Sequence, residues 1–65
     1  MKESTVVAGN GFAVGDIVTA IVYGRHRSGP VVAMRRPDAT VVWVQWYDAT
    51  VRTWMHVDSL TKVTP

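Results

Sequence analysis

The chain contains no cysteine. That excludes disulfide staples and any thiolate metal site, two of the usual reinforcements of a small domain. Histidine is scarce as well. His26 and His56 are the only two, far apart and without a carboxylate at ligand spacing, so no metal and no other cofactor is expected. Acidic residues are few, five against seven lysines and arginines, for a net charge of +2. So mild a basicity permits nucleic acid as a partner without requiring it. No apolar run approaches the roughly 18 residues of a membrane span. The amino end has one lysine and one glutamate before Thr5 and no apolar segment of the signal-peptide kind. The expectation is therefore a soluble protein without membrane contact, intracellular by default. Nor does any stretch repeat its apolar residues at a 3.6-residue period for long enough to make a helix.

What is present is a run of short β-strands. Sixty-five residues allow one domain, and a chain this short buries only about 60% of its unfolded surface. With disulfides and metal excluded, oligomerisation or a docked partner is the remaining reinforcement, and a hydrophobic content of 48% is compatible with it. Residues 1–11 read as a flexible lead-in, in which Val6-Val7-Ala8 has the composition of a brief edge strand before Gly9-Asn10-Gly11 interrupts it. Residues 12–65 read as the domain. Gly15-Asp16 is a turn feeding a strand over Ile17 to Tyr23, with Val18, Ala20 and Val22 on one face. Gly24-Arg25-His26-Arg27-Ser28-Gly29 reads as a basic loop closed by glycines, and Pro30 opens a strand that runs to Met34. Arg35-Arg36 ends that strand, and Pro37-Asp38 supplies turn chemistry. Near the carboxyl end, Asp58-Ser59-Leu60 looks like one 3₁₀ turn with Leu60 plugging the core, ahead of a last strand at Thr61-Lys62-Val63.

The most informative stretch lies between these parts. Residues 40–47 and 52–57 hold all three tryptophans and alternate with a period of two on either side of Asp48-Ala49-Thr50-Val51. This is a hairpin pattern. A four-residue turn would pair Tyr47 with Arg52, Val44 with Met55 and Val42 with Val57. One face is then Val42, Val44, Trp46, Thr53, Met55 and Val57, which is a core. The other is Trp43, Gln45, Tyr47, Arg52, Trp54 and His56, too polar to be buried cheaply. Five short strands, tight turns and one helical turn fit a small, strongly bent barrel, which removes most exposed strand edges.

The order Phe12-x-x-Gly15-Asp16-x-Val18, a variable loop, Gly29-Pro30, two strands, then Thr53-Trp54-Met55-His56-x-x-x-Leu60-x-x-Val63 resembles the SH3-like barrels of the Tudor, chromo-barrel and retroviral integrase C-terminal domain group. The resemblance covers about Phe12 to Val63. It implies an all-β, five-stranded SH3-like barrel with one 3₁₀ turn before the last strand, and binding of nucleic acid or of a peptide. Val42-x-Val44-x-Trp46-x-Asp48 is similar to the third Tudor strand, which implies a cage-wall position for Trp46, with Tyr23 approaching from the first loop. The aromatics that would complete a methyl-lysine cage are missing after Gly29-Pro30 and within Asp48 to Val51. A weaker resemblance, to the plasmid-borne type II dihydrofolate reductases, rests on Val7-Ala8-Gly9-Asn10 ahead of Phe12-x-x-Gly15-Asp16-x-Val18 and on Val44-Gln45-Trp46-Tyr47. It implies an oligomeric enzyme. In that family the Val-Gln-Ile-Tyr strand lies just before the terminal helical turn, where this chain has Arg52-Thr53-Trp54-Met55.

No catalytic constellation is legible in the residues themselves: His56 beside Asp58 has no credible nucleophile, and no glycine loop leads into a helix. The signal above background is aromatic and basic. Trp43, Tyr47 and Trp54 face outward with Arg52 and His56 between them, and Tyr23, Arg25, His26, Arg27, Arg35 and Arg36 lie on neighbouring loops or strand ends. Aromatic rings stack nucleic-acid bases and arginines hold phosphates. The expectation is a non-enzymatic module binding DNA or RNA through this outer face. Tryptophan and arginine are also enriched at protein interfaces, so a protein-interaction or self-assembly module on the same face is the alternative.

Overall fold

The structure, a computed structural model, describes residues 9–63. The candidate edge strand Val6-Val7-Ala8 lies outside the described residues. The chain forms β1 (Ile17–Val22), β2 (Arg25–Met34), β3 (Val41–Val44), β4 (Thr53–His56) and β5 (Thr61–Lys62), with a 3₁₀ turn at Val57–Ser59 between the last two. All five strands are antiparallel in one sheet of order β4-β3-β2-β1-β5. The expected all-β fold is therefore observed. β4 and β5 end the order on opposite sides and are joined through the 3₁₀ turn, so hydrogen bonding leaves the sheet open between them.

One expected boundary is corrected. Residues 25–29 are not a loop: they are the first half of β2, paired with β1 from Val22↔Arg25 to Ile17↔Pro30. The turn is only Tyr23-Gly24, with φ of 51° and 78°. Two successive positive φ values are what a two-residue type I′ hairpin needs, and its twist matches that of the strands it joins. Glycine adopts that conformation freely, so two residues suffice where the glycine spacing suggested six. Pro30 thus falls inside a strand. Its carbonyl still accepts from the Gln45 amide (3.0 Å), so only the donor half of that pair is missing. Residues 25–30 pair with β1, and Val31 to Met34 pair with β3.

The central hairpin is also corrected in register while keeping its two faces. The observed pairs are Val44↔Thr53, Trp43↔Trp54, Val42↔Met55 and Val41↔His56, two residues away from the expected pairing. A slip of two preserves side-chain direction, whereas a slip of one would invert it. The connection is longer than four residues because the chain after Val44 stays with β2. The Gln45 amide donates to the Pro30 carbonyl (3.0 Å) and the Tyr47 amide to that of Ser28 (2.8 Å), before Ala49 N–H turns back to Trp46 (3.1 Å). Gly29 makes this path possible. A β-carbon there would run into the Gln45 carbonyl and come within 2.8 Å of the Trp46 Cα.

Val18, Ala20, Val31, Val42, Val44, Trp46 and Leu60 form the buried core, with Phe12, Met34, Met55 and Val57 packed against it. Trp46 dominates. Full burial of a tryptophan removes ~150–250 Å² from water, worth about 4–6 kcal/mol as an upper figure, against ~1.5–3 for a valine or leucine. Two clips fix the ends of the sheet. The Asp16 carboxylate accepts from the Ala13 amide (2.9 Å) and pairs with Lys62 Nζ on β5 (3.2 Å). Asn10 donates from Nδ2 to the Ala39 carbonyl (2.8 Å), while its Oδ1 accepts from the Phe12 amide (2.8 Å). Asn10, which the sequence places in the break after Val6-Val7-Ala8, thus fastens the start of the described residues to the turn after β2.

Candidate functional site

The outer face of β2, β3 and β4 is assembled row by row from the registers. One row is Ala33, Trp43 and Trp54, and the next, from Val41↔His56, carries Val41 and His56. A bulge between Val31 and Ala33 brings Arg35 to the same face. Val31, on the near side of the bulge, is buried, and strict alternation would have sent residues 33 and 35 inward with it. With one residue inserted, Met34 packs on the core and Ala33 and Arg35 turn outward.

On this face Trp54 is 53% exposed and Trp43 37%. The difference has a cause. The Arg52 guanidinium lies over the Trp43 ring, 5.2 Å from its centroid, while Trp54 meets His56 edge-on at 5.7 Å and an interplanar angle of 76°. The stacked guanidinium covers one side of Trp43, which also stands between two strands, whereas Trp54 stands on the edge strand. Arg35, Val41, Trp43 and Trp54 line a groove of about 350 Å³. Arg35 and Val41 also border a larger groove of about 600 Å³ that continues past Arg36, Ala39 and Thr40.

The other expected site residues lie elsewhere. Arg25 and Arg27 point to the core side of the β1–β2 hairpin, where Arg27 donates from Nη2 (2.8 Å) and Nε (3.1 Å) to Asp48 Oδ1. Arg25 lies 3.9 Å from the second Asp48 oxygen. Hydrogen bonding from Arg27, and its charge, hold the Asp48 carboxyl below the usual carboxylate range. His26 points to the opposite face, beside Ile21, Ser59 and Thr61. Tyr23 caps the hairpin tip in full exposure, and Tyr47 is exposed in the loop after β3. Arg36 sits at the far groove, 3.1 Å from Asp38. Among the described residues, Arg35 and Arg52 are the arginines without a carboxylate partner. The expected surface is thus divided. Trp43, Trp54, Arg52, His56 and Arg35 are brought together, while Tyr23, Arg25, His26, Arg27 and Tyr47 are not among them.

Trp46 does not stand at a cage wall. It is 1% exposed and belongs to the core, because its place on the inner face follows Val42 and Val44 by the period of two. Gln45 directs its Nε2 into the loop, to the carbonyls of Ala49 (2.9 Å) and Trp46 (3.3 Å). No cluster of three or more histidine, aspartate or glutamate side chains suited to a metal ion occurs among the described residues, and no helix there is long and apolar enough to cross a membrane. Comparison with known proteins finds no family model, no curated protein and no solved structure that matches the chain.

Proposed function

We propose that this chain is a small binding module that holds nucleic acid on the outer face of β3 and β4. The observation that carries the reading is the cross-strand pair Trp43↔Trp54, exposed and flanked by Arg35 and Arg52. Exposed tryptophans on a sheet give bases a stacking surface, and guanidiniums without a carboxylate partner among the described residues give phosphates a partner. A meander of five strands with a 3₁₀ turn before the last supports an SH3-like reading of the fold, and small barrels of that kind are frequent hosts of such surfaces.

The test is a fluorescence-anisotropy titration of labelled oligonucleotides, single-stranded and duplex, at 50 and 200 mM salt. Two phosphates held by Arg35 and Arg52 predict a salt slope of about −1.4 on single strands, close to a sevenfold loss across that range. No anisotropy change at micromolar protein in the lower salt, for either form, removes the reading.

One further observation favours a second reading. Among the described residues the outer edge of β4 has no strand beside it, and Trp54 projects next to that edge. Unpaired edges invite strand addition. Self-association through β4 predicts a concentration-dependent mass in sedimentation that Trp54→Ala abolishes. A monomer at every concentration rejects it.

A further inference from the structure

The geometry points to unpaired nucleic acid as the ligand, with one base laid on Trp54 in the groove formed with Arg35, Val41 and Trp43. This rests on the nucleic-acid reading above and narrows it to a class of substrate and to a place for its base.

Three observations carry it. The first is electrostatic. Arg25, Arg27, Arg36 and Lys62 each have a carboxylate partner within the molecule, which leaves Arg35 and Arg52 as the open cations of the described surface. Duplex binding draws most of its affinity from many simultaneous phosphate contacts. Two are too few, so affinity has to come from stacking, and a duplex hides its base faces in its own stack.

The second concerns shape. The aromatic pair lies on a sheet face and not on a projecting helix or ribbon, so it offers nothing to insert into a major groove. A flat platform with a shallow trough instead suits bases that have already left a stack.

The third separates the two tryptophans. Trp43 already carries the Arg52 guanidinium and is 37% exposed, whereas Trp54, on the edge strand, is 53% exposed. Trp54 is therefore the ring with a face to give. The groove beside it is bordered by Arg35, and the adjoining one runs on past Arg36 and Thr40. A base on Trp54 sets the flanking phosphate toward Arg35, and the strand continues along that second groove.

The experiment titrates one sequence as single strand and as duplex, in DNA and RNA forms, against wild type, Trp54→Ala and Trp54→Tyr. Intrinsic tryptophan quenching is recorded beside anisotropy, and near-ultraviolet circular dichroism verifies the fold of each variant. Single strands should bind at least tenfold tighter than the duplex. Trp54→Ala should weaken single-strand binding by ~5- to 150-fold, the range found for one stacked base, and Trp54→Tyr should restore most of it. Duplex binding equal to single-strand binding, or an equal loss on both with Trp54→Ala, overturns the inference while leaving the broader reading intact. Failure of both forms to bind overturns the broader reading and this one together. A DNA–RNA difference in the single-strand arm would locate a contact to the 2′-hydroxyl, and equal affinity would assign recognition to the base and phosphate alone; single-strand preference in either supports the inference.

Discussion

The guanidinium of Arg27 lies over the Trp46 ring, 5.7 Å from its centroid, and closes the end of the core where the β1–β2 hairpin overhangs it. Arg27 points inward because Gly29 and Val31 on the same side of β2 do, and its partner across the ladder is Ala20, small enough to leave it room. Its side chain is only 23% exposed, and Asp48 completes the cap. The indole Nε1 beneath has no hydrogen-bond partner among the described residues, and the ring is held there by packing and by the cation above it. Arg27→Ala should therefore destabilise the fold by about 1–2 kcal/mol, through lost cation–π contact and lost cover of the largest core residue. Urea unfolding monitored by tryptophan emission measures this. Single-strand affinity, read at a temperature where the variant remains folded, should change less than twofold.

Gly29 gives the sharpest structural test. A methyl group there meets backbone atoms of Gln45 and Trp46, which cannot rotate aside as a side chain can. Gly29→Ala forces β2 and the segment after β3 apart, and with them the amide bonds from Gln45 and Tyr47. A cost of ~3 kcal/mol or more is expected, enough to unfold a domain of this size under ordinary conditions. Loss of amide dispersion in a proton–nitrogen correlation spectrum would register it, and a well-dispersed spectrum would refute the close approach.

Gly29 also marks how far the sequence could be read. Alternation placed Val42, Val44 and Trp46 inside and Trp43, Tyr47 and Trp54 outside, and burial agrees at each of these positions. That information is local, so it survives an error of two in register. Whether a glycine ends a loop or allows two chain segments to touch depends on what lies opposite it. The partner here is Gln45, sixteen positions away in the chain, and nothing near Gly29 announces it. The bulge after Val31 is equally silent, although it decides that Arg35 joins the tryptophans. Arg25 and Arg27 were visible as basic residues, but their neutralisation by Asp48 belongs to the fold.

Tyr23 holds a strained conformation that a substitution should relieve. Its φ of 51° puts a bulky residue in the left-handed region, which costs ~1–2 kcal/mol for most side chains and much less for asparagine or glycine. Asparagine followed by glycine is the preferred pair for this hairpin turn. Tyr23→Asn should raise stability by about 0.5–1 kcal/mol, near 4–8 °C in melting temperature for each kcal/mol in a domain of this length. Differential scanning calorimetry decides it. A lowered melting temperature would mean that the tyrosine ring contributes contacts outweighing its backbone strain.

Acid should weaken the fold through Asp16 and Asp48. The Asp16 carboxyl is lowered from its ordinary 3.8, chiefly by the hydrogen bond from the Ala13 amide and then by Lys62. Asp48 is lowered chiefly by Arg27. A carboxyl with a depressed folded pKa adds stability above its unfolded value, and that stability is lost as pH falls through the folded value. The melting temperature should therefore be nearly flat above about pH 5 and decline below about pH 4. In Asp16→Asn/Asp48→Asn it should start lower and decline less. A double variant that declines as steeply as the wild type would place the acid sensitivity in other groups.

Arg52 performs two tasks that a single substitution can separate. As a charge without a carboxylate partner among the described residues it is proposed to hold one phosphate; as a planar group it covers Trp43. Arg52→Gln removes the charge, so the salt slope on single strands should fall from about −1.4 to about −0.7. The same change uncovers the Trp43 face, so quenching of tryptophan emission on binding should deepen in the variant. Affinity alone would mix a lost phosphate contact with a gained stacking surface, whereas slope and quenching report them independently. Arg25→Ala is the control: its charge lies beside Asp48 on the far side of the sheet, and the slope should not move. A slope that falls equally in both variants would mean that net charge governs binding, and the outer face of β3 and β4 would lose its claim to the ligand.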